Sequence, residues 1–195
     1  MKPYSESCEQ NKVPILAVLE QELANIETVL EIGSGTGQHA VFMANELDHV
    51  HWITSDLNEN HAAIKEWLNE YSGDNIEGPL SIDVNQELWL DEAVCAIYSA
   101  NTAHIMAWPS VVNMMCGVAK TLRKGGIFCL YGPFNYNGDY TSDSNRHFDA
   151  WLKDRDPNSG IREFEKLNFL AYENNMILKQ DYEMPANNRL LVWVK

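Results

Sequence analysis

The sequence predicts an α/β fold, a mostly parallel seven-stranded sheet with helices on both faces and an antiparallel hairpin at its C-terminal end. Short apolar runs alternate along the chain with segments of helical period, the pattern of β-α units that build a parallel sheet. A glycine-rich turn, Gly33-Ser34-Gly35-Thr36-Gly37, joins the first apolar run to the helical segment after it. Two further apolar runs flank Pro185-Ala186-Asn187-Asn188, a turn composition that closes a hairpin.

The elements follow in order. After a polar leader over residues 1–12, residues 14–24 place Ile15, Val18, Leu19 and Leu23 on one helical face, with Pro14 suited to a first turn. Residues 28–32 read as a buried strand, and 38–47 bring Val41, Ala44 and Leu47 to helical spacing. A second strand covers 50–55 and ends at Asp56, and a helix covers 58–71. Residues 80–84 form a short third strand; 85–92 leave room for two helical turns before a fourth strand at 93–99. A helix over 110–122 stops at Arg123-Lys124-Gly125-Gly126, since basic residues and glycine terminate helices, and a fifth strand follows at 127–131. Residues 132–144 are rich in Gly, Asn, Asp and Ser. A loop of this length inside a compact domain is usually either a functional lid or simply mobile, and the first reading makes 133–145 a candidate active-site loop. Helices near 145–153 and 161–174 and strands at 177–182 and 189–194 complete a single domain over 1–195.

Lys and Arg number 14 and Asp and Glu 28, a net charge of −14. Such a field does not draw a chain to nucleic acid or to an anionic membrane. The charge is uneven: residues 1–100 hold 3 basic and 18 acidic residues, and 101–195 hold 11 and 10. Cys8, Cys95, Cys116 and Cys129 have neither C-x-x-C spacing nor a histidine at zinc-ligand spacing. His49 and His51 share a strand face without a third ligand, and Asp139, Asp143 and Asn145 are irregularly spaced, so no metal is expected. The N-terminus lacks a signal-peptide apolar stretch and no run of about 18 apolar residues occurs, which makes a cytoplasmic location the expectation. Monomer and homodimer both remain open.

The glycine turn is neither a P-loop, lacking Gly-Lys-Ser/Thr, nor a full dinucleotide fingerprint, because Gln38 stands where G-x-G-x-x-G needs its last glycine. Glu31, two residues before Gly33, repels a pyrophosphate and suits a ligand of positive character. Asp56 follows Gly33 by 23 residues, at the end of the second strand. In a doubly wound sheet a carboxylate there lies beside the glycine turn and accepts hydrogen bonds from both hydroxyls of a ribose. Asp83 ends the third strand in the equivalent place and could accept from an adenine amino group.

With Glu31, the glycine turn, Asp56 and Asp83 on three successive strands, the sequence resembles the class I S-adenosylmethionine-dependent methyltransferases over roughly residues 13–195. The resemblance implies a Rossmann-like methyltransferase sandwich with S-adenosylmethionine as cofactor. By that resemblance Glu31, Gly33, Ser34, Gly35 and Gly37 would hold its methionine part. Asp56 and Leu57 would hold the ribose, Asp83 and Val84 the adenine, and Ser99 and Asn101 would lie under the sulfonium. Segments 7–16, 98–105, 148–152 and 185–188, with Asp156-Pro157 and Gly160-Ile161-Arg162, are similar to a small uncharacterised methyltransferase-like family of unknown function. The chain departs from that family at Gln10, where an arginine is expected.

Methyl transfer demands alignment and a dry site, and a base only where the acceptor loses a proton. No catalytic triad is visible. Ser99-Ala100-Asn101-Thr102 lacks the proline and aromatic of enzymes that methylate bases, which favours a small-molecule acceptor. His104 has the pKa range of a general base, and orienting the loop is its other reading. Trp108, Tyr131, Phe134 and Tyr136 are candidates for an aromatic wall over the acceptor. Arg146, His147 and Arg162 could meet an acidic substrate, and Asn188, near the sheet's carboxyl end, is a candidate substrate contact whose other reading is the hairpin turn. Two other functions compete: a catalytically silent S-adenosylmethionine-binding or regulatory module, and an NAD-type oxidoreductase, against which Gln38 argues.

Overall fold

Strand β1 (Thr28–Ile32) is an interior strand of the sheet in a computed structural model that describes residues 2–195; Met1 of the leader lies outside the described residues. Around it run β2 (His51–Asp56), β3 (Ile76–Ser81), β4 (Val94–Ala100), β5 (Leu122–Gly132), β8 (Ile177–Met184) and β9 (Asn188–Val194). Their spatial order is β3-β2-β1-β4-β5-β9-β8, with β9 inserted antiparallel between β5 and β8 and the rest of the pairs parallel. A separate two-stranded pair joins β6 (Phe134–Asn135) to β7 (Arg162–Glu163).

The interior strands are mostly apolar and buried because both faces of the sheet are covered there, whereas the edge strands β3 and β8 are half exposed. Side chains alternate between the faces. Val29, Ala96, Tyr98, Cys129 and Val192 pack with Ile15 and Leu19 of α1 (Glu6–Glu22) and Met43 of α2 (Gln38–Glu46). Leu30, Ile97, Phe128, Leu130 and Leu191 pack with Val111 and Met115 of α4 (Trp108–Thr121) and Leu167 of α6 (Phe164–Glu173). Helix α3 (His61–Leu68) buries Ile64, and α5 (Asp143–Arg155) buries Leu152. Among the described residues no helix is long and apolar enough to cross a membrane.

Four sequence expectations are corrected. The leader is helical: Ser5 caps α1 by accepting from the Cys8 amide at 3.4 Å, so Pro14 sits in the helix interior and not in its first turn. Strand β3 starts and ends earlier than the apolar run suggests, leaving Asp83 two residues past its end. Residues 85–92 form no helix. Residues 123–126, expected to stop a helix, lie inside β5, where pairing jumps from Val94–Leu122 to Ala96–Ile127 and the Gly125 amide donates to the Lys195 carbonyl at 2.7 Å.

Candidate functional site

The strand order reverses between β1 and β4, and a crevice opens at the carboxyl ends of strands at such a point. A cavity of about 760 Å³ occupies it. The turn after β1 is shaped by Gly33 (φ +74°), where an added Cβ would come within 2.5 Å of Thr102 Cγ2. Gly35 (φ +60°) has nothing within 4 Å of an added Cβ, so its backbone faces open space. The amides of Gly33 and Ser34 donate to the Ser55 carbonyl at 3.1 and 2.9 Å, which staples the turn to β2. Gly37 is outside the cavity; it starts α2 with a left-handed backbone and packs on Ile64 of α3.

Carboxylates dominate the wall. Glu31 is 2% exposed, and its Oε2 accepts from Ser34 Oγ at 2.8 Å and Trp52 Nε1 at 3.2 Å. Burial pushes its pKa up to about 7 against the pull of those two hydrogen bonds, with the charge of Asp56 adding to the rise. Asp56 Oδ2 accepts from the Gly35 amide at 2.7 Å, and its Oδ1 from the Leu57 amide at 2.7 Å and Asn60 Nδ2 at 2.8 Å. Asp83 accepts from the amide and side chain of Asn85, both at 2.9 Å, and Val84 is buried beside it. Glu59 is the fourth carboxylate on the wall, and among the described residues no lysine or arginine borders it.

At the β4 end, the structure brings Asn101 and His104 to the cavity but not Ser99. The Ser99 hydroxyl is buried behind the wall, donating to the Ile32 carbonyl at 2.7 Å and pairing with Thr102 Oγ1 at 2.6 Å. Asn101 holds a left-handed backbone (φ +60°), fixed by its amide donating to the Tyr131 carbonyl at 3.0 Å. His104 is 6% exposed, and among the described residues no group hydrogen-bonds its ring nitrogens. Burial, and then the Arg162 charge, lower its pKa to about 4, so the imidazole is neutral at pH 7.

Most of the expected aromatic wall is elsewhere. Phe134 is 1% exposed because the β6–β7 pairing draws it into the core. Tyr136 stacks on Phe164 with 5.1 Å between centroids and donates to Asp181 at 2.8 Å. Trp108 opens α4 beneath the Arg162 guanidinium. Arg162 is itself spent on the carbonyls of Ala103, Met106 and Asn158, and Arg146 pairs with Asp143 at 3.3 Å on the exposed face of α5, where His147 is also exposed. Tyr131 and Asn188 instead border a second cavity of about 340 Å³, which shares Ser7, Asn101 and Phe148 with the first.

Several wall residues escaped the sequence reading. Ser5, Ser7 and Cys8 reach the larger cavity from the first turn of α1, and Ser5 followed by Glu6 and Glu9 was the available helix-start signal. His39 lines the cavity with its Nε2 donating to Asn11 Oδ1 at 2.7 Å and its Nδ1 beside the Tyr98 hydroxyl at 3.3 Å; burial lowers its pKa to about 4. Phe148 meets the His104 ring edge to face at 5.3 Å and separates the two cavities. It opens the family-like segment 148–152, but its local sequence assigns it no role at the site.

Solved structures share this architecture. The mitomycin 7-O-methyltransferase MmcR superposes with a TM-score of 0.84 at 11% identity, over 97% of this chain and 54% of its own. Human N-acetylserotonin methyltransferase, solved with S-adenosylmethionine, gives 0.80 at 15% identity, over 97% and 53%. The O-methyltransferase NcsB1 from neocarzinostatin biosynthesis, solved with S-adenosylmethionine and 2-hydroxy-5-methyl naphthoic acid, gives 0.79 at 13%, over 96% and 54%. The chain thus spans about half the length of these proteins, and at such identities the likeness is one of fold, the Rossmann-like class I methyltransferase sandwich. A family profile described as "Protein of unknown function (DUF938)" matches residues 2–195, and the chain belongs to that family.

Proposed function

We propose that this protein is an S-adenosylmethionine-dependent methyltransferase that acts on a small molecule. The carrying observation is the wall of the larger cavity, where Glu31, Asp56 and Asp83 converge from the carboxyl-end side of three successive strands with no lysine or arginine among them. The residues fit the cofactor. Gly35 leaves an open cradle, and carboxylates stand where an ammonium, a ribose and an adenine amino group need acceptors. A pyrophosphate fits poorly: the amides of Gly33, Ser34 and Gly35 are all spent on protein oxygens, and Glu31 lies beneath them.

In this reading Glu31 and Ser34 face the amino-acid part, Asp56 and Leu57 the ribose, and Asp83 and Val84 the adenine, while Gly33 and Gly37 shape the turn. S-adenosylmethionine, when bound, supplies an electrophilic methyl group on a sulfonium. Asn101 and Phe148, both half-buried, form the boundary across which an acceptor must approach, and α1 and α5 flank it. His104, neutral with an unengaged ring nitrogen, accepts a hydrogen bond from the acceptor and orients its nucleophilic atom. Its depressed pKa makes it a weak base, which suits positioning more than full proton removal.

Isothermal titration with S-adenosylmethionine, S-adenosylhomocysteine and NAD tests the reading. Micromolar binding of the first two with none of NAD is expected; binding of NAD alone overturns it.

A further inference from the structure

We propose that the smaller cavity is the acceptor subsite and that it selects an uncharged aromatic molecule bearing a hydroxyl group. This deepens the methyltransferase reading and rests on it. Charged residues make up 22% of the chain, yet none of the thirteen residues around this cavity carries a charge. An ionised ligand group placed here would lose its hydration and gain no counter-charge. The rings of Phe148 and Tyr131 and the apolar faces of Pro133 and Pro185 suit a flat ligand, and about 340 Å³ holds one smaller than a drug-sized compound.

The polar groups have defined directions. Asn11 Oδ1 is occupied by His39 Nε2 at 2.7 Å, which leaves the Asn11 amide nitrogen to face the Tyr131 hydroxyl. Asn188 contacts the same hydroxyl with its side chain, and its Nδ2 also donates to the Pro185 carbonyl at 3.2 Å. Burial raises the Tyr131 pKa above its ordinary value, so the phenol keeps its proton. The side chains of Asn11 and Asn188 lie beside the Tyr131 hydroxyl, whose O–H is turned to no protein acceptor among the described residues and is left to donate. The Asn188 carbonyl oxygen, which has no partner among the described residues, is left to accept. A ligand hydroxyl satisfies both at once, as an anchor distinct from the nucleophilic atom that meets His104 in the larger cavity. Asn101 and Phe148 form the common wall, so a ring held here presents its edge toward the larger cavity.

The test uses three probes of one shape, p-cresol, 4-hydroxybenzoate and tyramine, which are neutral, anionic and cationic at pH 7. Each is titrated into the full chain by ligand-observed NMR, with and without S-adenosylhomocysteine. p-Cresol is expected to bind at least about tenfold more tightly than either charged probe. Tyr131→Phe, which removes one hydroxyl and opens no cavity, should weaken p-cresol by about tenfold and leave S-adenosylhomocysteine affinity unchanged. Asn188→Asp should shift the preference toward tyramine. Equal binding of a charged probe, binding of none, or indifference of p-cresol to Tyr131→Phe overturns the subsite. Failure of S-adenosylhomocysteine to bind while p-cresol binds overturns the cofactor reading instead, so the two fail separately.

Discussion

The larger cavity is bordered by Glu31, Asp56, Glu59 and Asp83, and the smaller one, across Asn101 and Phe148, by Asn11, Tyr131, Ser144 and Asn188. Glu31, Asp56 and Asp83 of the first lie at or just past strand ends, so the order of the sheet gathers these three carboxylates. The second is built where α1, α5 and the turn between β8 and β9 come together, so packing gathers its groups. Charge separates them as well, with acceptors for a donor-rich or cationic ligand on one side and neutral amides and hydroxyls on the other. Under the proposed reading, in-line transfer would benefit from this division, with cofactor and acceptor held by groups of different charge and meeting at the shared wall.

The largest effect that can break this comparison comes from the turn. Gly33→Ala forces a left-handed alanine and drives a methyl group against Thr102, whereas Gly35→Ala meets only the first difficulty. The cost to unfolding free energy should be about 2–5 kcal/mol for Gly33→Ala and about 1–2 kcal/mol for Gly35→Ala, read from denaturant titration. Equal losses would mean that the β1 and β4 loops do not clamp one another. Gly35→Ala should instead weaken S-adenosylmethionine, since its new methyl projects into the cradle.

Glu31 offers the next largest effect. Its folded pKa of about 7 stands above the ordinary 4.5, so between those values the folded state keeps a proton that the unfolded chain has lost. Its contribution to stability is therefore greatest below pH 4.5 and is lost as pH rises through 7, a change of about 3 kcal/mol. Glu31→Gln should match the wild type at pH 4.5 and exceed it by up to about 3 kcal/mol at pH 8, while binding S-adenosylmethionine more weakly. A variant less stable at pH 8 would show that the carboxylate is there for the fold and not for a ligand.

Legibility in the sequence follows the same division. The run Thr28–Ile32 is apolar apart from Thr28 and Glu31 and is followed by glycine, so its strand was read to the residue. The edge strand Ile76–Ser81 is half exposed and contains Gly78-Pro79, which hides the apolar run expected of a strand and moved the reading to 80–84. Glu31, Asp56 and Asp83 were legible because a doubly wound sheet places such positions together. Ser99 was misread because its hydroxyl turns back to Ile32, and Phe134 because a short strand pair inside a polar loop buries it. Asn11, Tyr131 and Asn188 come from three distant stretches, and no local pattern links them.

The smallest effect separates two buried histidines, one on a structural chain and one free for a ligand. Both have pKa values lowered to about 4, chiefly by burial, so both are neutral at pH 7. For each, the unfolded state binds a proton near 6.5 that the folded state refuses, so the stability they leave intact at pH 7 falls as pH drops from about 6.5 to 4. His39 spends both nitrogens, and His39→Ala leaves Asn11 Oδ1 and the Tyr98 hydroxyl without their partner, a cost of about 2–3 kcal/mol. His104 leaves no protein group unpaired and borders open space, so His104→Ala should cost only about 1 kcal/mol at pH 7. Comparison of the two variants by thermal unfolding at pH 7 and pH 5 checks both points. A penalty for His104→Ala as large as that for His39→Ala would assign His104 to the fold, and would leave the acceptor to be oriented by Asn101, Tyr131 and Asn188 alone.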